Sequence, residues 1–197
     1  MNFPLINFTM YLMQTLISAF LFFLPLLPAS DTAEYIDWGK ERRLSWNDFE
    51  GAVDKTSDAA ASTSTFLGFN YHIHNNTFSY QIACKFSKKK SWGLVKNNWI
   101  LKHEQGHFDI SEIFARRLYE AVENYQPKHR SLKKDLDKIY QQVMQEKEDF
   151  QIKYDTETDF SRNKEVQREW LDKIDSLLDE TKDLANYTNP DSKRISE

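Results

Sequence analysis

The chain has 197 residues, a formal net charge of −4 and one cysteine, with 40% hydrophobic and 28% charged residues. That length suits one domain with its own core plus a leader. The mild acidity gives no electrostatic footing for nucleic acid, and the lone Cys84 excludes an intrachain disulfide, so stability must come from a core or a metal.

Residues 1–30 contain no charged side chain. The apolar run from Met10 to Pro28 ends in Leu27-Pro28-Ala29-Ser30, the pattern of a signal peptide cleaved near Ala29 or Ser30. The run is also about long enough for an uncleaved membrane anchor. The small residues that close the run favour cleavage. It makes the mature protein exported, either periplasmic or extracellular, and a membrane partner only if the segment is retained.

Residues 31–42 are polar and read as loose chain. Leu44-Ser45-Trp46-Asn47-Asp48-Phe49-Glu50-Gly51 reads as a short strand running into a turn. Residues 54–61 are a turn-rich loop. Ser62 to Ile73, rich in Thr, Phe and Tyr, is predicted as a strand. In Thr77 to Ser87 the residues Phe78, Tyr80, Ile82, Cys84 and Phe86 alternate with mostly polar neighbours, which is the period of a half-buried strand. Asn75-Asn76 between the two supplies a hairpin turn. Lys88-Lys89-Lys90 reads as a solvated loop.

The stretch from Trp99 to Tyr125 repeats apolar residues at helical spacing, from Ile100 and Leu101 through Phe108, Ile110, Ile113, Phe114 and Leu118 to Val122. Inside it lies His103-Glu104-Gln105-Gly106-His107. Two histidines at i and i+4 stand one above the other on one helix face. As neutral imidazoles they can hold Zn²⁺, and Glu104, about 100° round the helix, falls beside the metal as a base for a bound water. Two histidines on an apolar face can also be ordinary core residues. Gly106 costs a helix about 1 kcal/mol against Ala, so its place between them implies a close approach to the backbone.

Pro127 ends this helix. A second helix is predicted from Ser131 to about Tyr154, and residues 155–161 read as a polar loop or helix junction. A third helix starts after Asn163 as N-cap and runs to about Leu184. Residues 186–197 are a polar tail expected to be disordered. Residues 31–185 thus form one α+β domain, a small antiparallel β-layer followed by the motif helix and two further long helices.

A catalytic zinc ordinarily has three protein ligands. Asp109 and Glu112 lie on other faces of the motif helix, so the third ligand should come from the later polar break, where Asp155, Glu157 and Asp159 are candidates. Asp109 then reads as a solvated acid or a partner of the ligands, and Tyr154 as an oxyanion donor or a packed tyrosine.

The run Lys102-His103-Glu104-Gln105-Gly106-His107-Phe108-Asp109-Ile110, with Glu112 and Ala115-Arg116, resembles the DUF922 family. So do Leu44 to Gly51, Ala60 to Ser64, Phe86 to Trp92, Tyr154-Asp155, Thr158, Gln167 and Trp170. The resemblance spans roughly residues 40–175. It implies an exported bacterial protein of the zinc-dependent protease type, with a zincin-like fold. The family's pattern continues from Tyr-Asp to Thr-x-His-Gly, whereas this chain has Thr158-Asp159-Phe160-Ser161, with Phe160 at the histidine position. Either Asp155 or Asp159 then substitutes for it, or the site is a weak one of two histidines. The working assignment is Zn²⁺ on His103, His107 and Asp155, with Glu104 as catalytic base and a peptide or protein as substrate. The alternative is a zinc-stabilised binding module of the cell envelope without turnover.

Overall fold

The computed structural model describes residues 34–187 and 192–196. The leader expected over residues 1–30 lies outside the described residues. Among those described, no helix is long and apolar enough to cross a membrane.

The order of elements is β1 (Tyr35–Asp37), a 3-10 turn (Trp46–Asp48), β2 (Ala61–Ser62), β3 (Thr65–His74), β4 (Thr77–Ser87), β5 (Trp92–Gly93), α1 (Asn98–Asn124), α2 (Leu132–Glu157), α3 (Lys164–Glu180), a second 3-10 turn (Lys182–Leu184) and β6 (Lys193–Arg194). All strand pairs are antiparallel. This is an α+β fold with three helices, as the pattern predicts.

β3 and β4 form a long hairpin, paired from Thr65↔Phe86 to His74↔Thr77. Asn75 and Asn76 both take positive φ (46° and 60°), the left-handed pair that a two-residue hairpin turn needs and that Asn tolerates. The inner face of β4 buries Phe78, Tyr80, Ile82, Cys84 and Phe86. On its other edge β4 takes β1 at Lys85–Ser87 and β6 at Thr77–Phe78. β2 and β5 pair separately, Ala61↔Gly93 and Ser62↔Trp92.

α1 lies against the sheet on one side and against α2 and α3 on the other. It is therefore buried almost all round: 16 of its 27 residues are buried, among them Gln105, Asp109, Ser111, Glu112 and Arg116. Asn97 caps it, its side chain accepting from the Trp99 and Ile100 amides at 2.9 Å each. α3 opens on the predicted cap, Asn163, which accepts from the Val166 amide at 3.3 Å.

Five local expectations give way to tertiary contacts. Residues 34–42 are not loose: β1 pairs with β4, and Trp38 and Arg43 both bond Asp109 on α1. The segment after Leu44 is a 3-10 turn rather than a strand, because Asp48 folds back to accept from the Ser45 amide (2.7 Å) and hydroxyl (2.9 Å), closing the turn. Lys88 is not solvated; it is buried and, with Lys89, ion-paired to Glu50. Residues 155–157 are the last turn of α2 and not a loop. The C-terminal stretch is anchored where disorder was expected: Tyr187 and Ile195 are buried, β6 joins the sheet, and the Tyr187 hydroxyl donates to Glu112 at 2.6 Å.

Candidate metal centre

The site begins with the first half of α1. Its cap fixes the helix start at Asn98, and the 3.6-residue repeat then sets His103 and His107 one turn apart. Their rings are 4.9 Å apart, centroid to centroid. The last turn of α2 crosses in front of them and delivers Asp155.

Asp155 Oδ1 lies 3.0 Å from His103 Nε2 and 3.0 Å from His107 Nε2, and the two Nε2 atoms are 3.3 Å apart. Two nitrogens and one oxygen thus form a nearly equilateral triangle. Ligand atoms about 2.0–2.1 Å from a tetrahedral zinc sit roughly 3.3–3.4 Å from one another, so the donor set and its spacing fit such an ion. It is the one group of three metal-binding side chains among the described residues. Glu157 and Asp159 are not brought to it: Glu157 accepts from Trp170 Nε1 at 2.8 Å, and Asp159 pairs with exposed Arg162.

The imidazoles are held by specific neighbours. Gln151, one turn before Asp155 on α2, faces His107 Nδ1 with its carbonyl oxygen at 2.5 Å, while its amide nitrogen donates to the His107 carbonyl at 2.9 Å. This fixes the proton of neutral His107 on Nδ1 and leaves Nε2 free as a ligand atom. The Tyr154 ring stacks on His103 (4.5 Å, 19°) and meets His107 edge-on (5.0 Å, 72°). Its hydroxyl donates to the His103 carbonyl at 3.3 Å, and the side chain is fully buried. Tyr154 is a packed tyrosine and takes no oxyanion role. It is also what approaches Gly106: a Cβ there would sit 2.6 Å from the Tyr154 hydroxyl.

Electrostatics follow from this packing. Burial raises the Asp155 carboxyl, but hydrogen bonds from both imidazoles outweigh it and hold Asp155 well below the usual carboxylate range. Burial lowers His103, only partly offset by Asp155. His107 is lowered by burial too, yet Asp155 and Gln151 push it up to about 8. The pair His107–Asp155 therefore holds a proton near neutrality, one that a cation bound at these atoms would have to displace.

Glu104 is buried on the same helix, and its Oε2 has no hydrogen-bond partner; nor does His103 Nδ1. A buried carboxylate oxygen without a donor is costly. Here it lines an open cleft of about 1310 Å³ together with His103, His107, Gln151 and Asp155. The opposite wall is the segment through β2 and the start of β3. Phe160 stands at the rim, 53% exposed. It belongs to three successive residues of positive φ, Asp159, Phe160 and Ser161 (47°, 50° and 71°). Phe160 offers no ligand atom, and the carboxylate of Asp155 stands against the histidines instead.

Asp109 is not solvated. It is 1% exposed, accepts from Trp38 Nε1 (2.8 Å), Gln105 Nε2 (2.9 Å) and both Arg43 guanidinium nitrogens, and so ties the residues before Leu44 to α1. Glu112 also faces away from the histidines, bonded to Arg116 and Tyr187. Gln151 went unread in the sequence. Its signal is the i−4 spacing from Asp155, which puts both on one face of α2.

What the fold and site define is an α+β domain built round a buried helix that presents two imidazoles to a cleft. A family model described as a bacterial protein of unknown function (DUF922) matches residues 43–162, and the chain belongs to that family. No curated protein and no solved structure matches the chain.

Proposed function

We propose that the protein is a zinc-dependent peptidase of zincin-like fold. The observation that carries this reading is the convergence of His103 Nε2, His107 Nε2 and an Asp155 carboxylate oxygen beside the unpartnered Glu104 carboxylate, in one cleft. His103, His107 and Asp155 would hold the ion. A zinc ion so bound supplies a water of pKa near 7 and polarises a carbonyl.

The protein's own groups do the rest. Glu104 takes the proton of the attacking water and returns it to the leaving amine. Its burial and lack of a hydrogen-bond donor keep that oxygen available for the proton. Gln151 holds His107 in the orientation that turns Nε2 to the cleft, and Tyr154 packs the His103 ring from behind. A peptide lying in the cleft would run along the segment through β2, with main-chain hydrogen bonds as its positioning contacts. The apolar, uncharged residues 1–30 support export to the periplasm or beyond.

Glu104→Gln is the direct test. It leaves the three ligands in place, so zinc binding persists, while peptide hydrolysis falls by at least about 10²-fold, as for loss of a general base. A Glu104→Gln protein as active as the parent overturns the mechanism.

A second reading has one observation in its favour. Phe160, half-exposed at the cleft rim, occupies the position where the family resemblance has histidine. It gives a zinc-stabilised binding module without turnover. That reading expects bound zinc and no cleavage of any peptide by the parent protein.

A further inference from the structure

Lys147 is 7% exposed; its stem is packed away, its ammonium keeps a narrow contact with solvent, and no hydrogen bond or ion pair joins it to a described residue. Its side chain lines the metal-site cleft. An ammonium so nearly buried is poorly hydrated, and an anion placed against it in the cleft would replace the water it lacks. Burial does lower its pKa, with Glu148 pulling it back up. The neighbouring Glu148 is exposed and acts on it only through space.

The register of α2 gives this lysine its place. Lys147, Gln151 and Asp155 follow one another at i, i+4 and i+8, so they stand on one helix face. Gln151 holds His107 and Asp155 touches both histidines. Lys147 is the next member of that row, two helical turns or about 12 Å along the axis from Asp155 at 1.5 Å per residue. An extended peptide covers that distance in roughly three to four residues, at about 3.3–3.6 Å each. The cleft therefore has a metal-facing end and a cationic end.

We propose that Lys147 is an anion subsite of the cleft and that the substrate is a peptide carrying a carboxylate, which the ammonium pairs when the peptide is bound. The assignment of the ligand as a peptide rests on the function proposed above; the anion subsite itself rests on Lys147. The carboxylate can belong to an acidic side chain or to the peptide's own C-terminus, since the recognised group is the same.

The test is binding of short alanine peptides to the full-length protein by titration calorimetry, on the Glu104→Gln background and with and without added zinc. One set is acetylated and amidated and carries a single glutamate at successive positions. The controls are the all-alanine amide and the all-alanine peptide with a free C-terminus. At least one carboxylate peptide should bind about tenfold or more tightly than the all-alanine amide, the increment of one charge-assisted pair. Preference for a glutamate position identifies an acidic side chain as the source; preference for the free C-terminus identifies the chain end. Lys147→Met, which keeps the stem and removes the charge, should abolish the preference, leave the zinc content unchanged and hold or raise the unfolding temperature; Lys147→Gln repeats the test should the methionine variant not fold. Equal affinity of the parent for carboxylate and amide peptides overturns the subsite, as does a preference that survives both substitutions. Absence of zinc binding with the preference intact would sink the metallopeptidase reading and leave the subsite standing.

Discussion

Gly106 shows how one residue ties the site to the fold. A helix interior is a poor place for glycine, which gives up about 1 kcal/mol to alanine. The Tyr154 hydroxyl and ring would lie 2.6 and 2.9 Å from a Cβ at that position. Tyr154 cannot swing away, being fully buried and stacked on His103. Gly106→Ala is therefore an overpacking change, costing about 1–3 kcal/mol and more than cancelling the gain in propensity. The denaturant midpoint should fall, and a raised midpoint would show that Tyr154 yields. Asp48 offers a second residue-scale prediction. Burial raises its carboxyl, but Arg42 and the Ser45 amide and hydroxyl outweigh it, so its pKa is lowered from 3.8. A lowered pKa means that the native state favours the charged form, a contribution present above the unfolded value and lost as pH falls through the native one. Asp48→Asn should cost about 1–3 kcal/mol near pH 7, with the difference from the parent shrinking below pH 4. Urea melts at both pH values measure it, and a gap independent of pH would contradict the assignment.

At the scale of elements, local pattern was a good guide where local forces decide. The alternation of Phe78, Tyr80, Ile82, Cys84 and Phe86 defines β4, and the observed strand is Thr77–Ser87 as read. α1 was legible as a helix but not as one buried all round, because its polar residues find partners far along the chain: Asp109 with Trp38 and Arg43, Glu112 with Tyr187. The same cause hid β6. Two residues paired to β4 carry no periodicity, and Ile195 and Tyr187 gain their burial only from the assembled sheet and α1. Lys193 also donates to the Val122 carbonyl at 3.0 Å, in the last turn of α1. Deleting residues 187–197 should cost on the order of 3 kcal/mol or more, from exposed core and from Glu112 left without the Tyr187 hydroxyl. A chemical denaturation curve that does not move on truncation would return the segment to the status of a loose tail.

For the molecule as a whole, α1 is the hub: sheet on one side, α2 and α3 on the other, with the cleft opening beside its first turns. The two histidines and Glu104 were legible because the motif lies within one helix. Asp155 was one of three candidates, and only the packing of α2 across α1 separates it from Glu157 and Asp159. Gln151 and Lys147 were hidden because their roles come from that same packing. Family membership spans residues 43–162, which includes both walls of the cleft and the end of α2.

Whether His103, His107 and Asp155 hold a zinc ion is decided by the metal content of purified protein after exhaustive dialysis, for the parent and for Asp155→Ala. The parent should carry about one zinc per chain, the occupancy of a tight three-ligand site, and the variant should lose most of it. A parent that retains no zinc would contradict the metal centre, and a variant that retains it fully would contradict Asp155 as its third ligand.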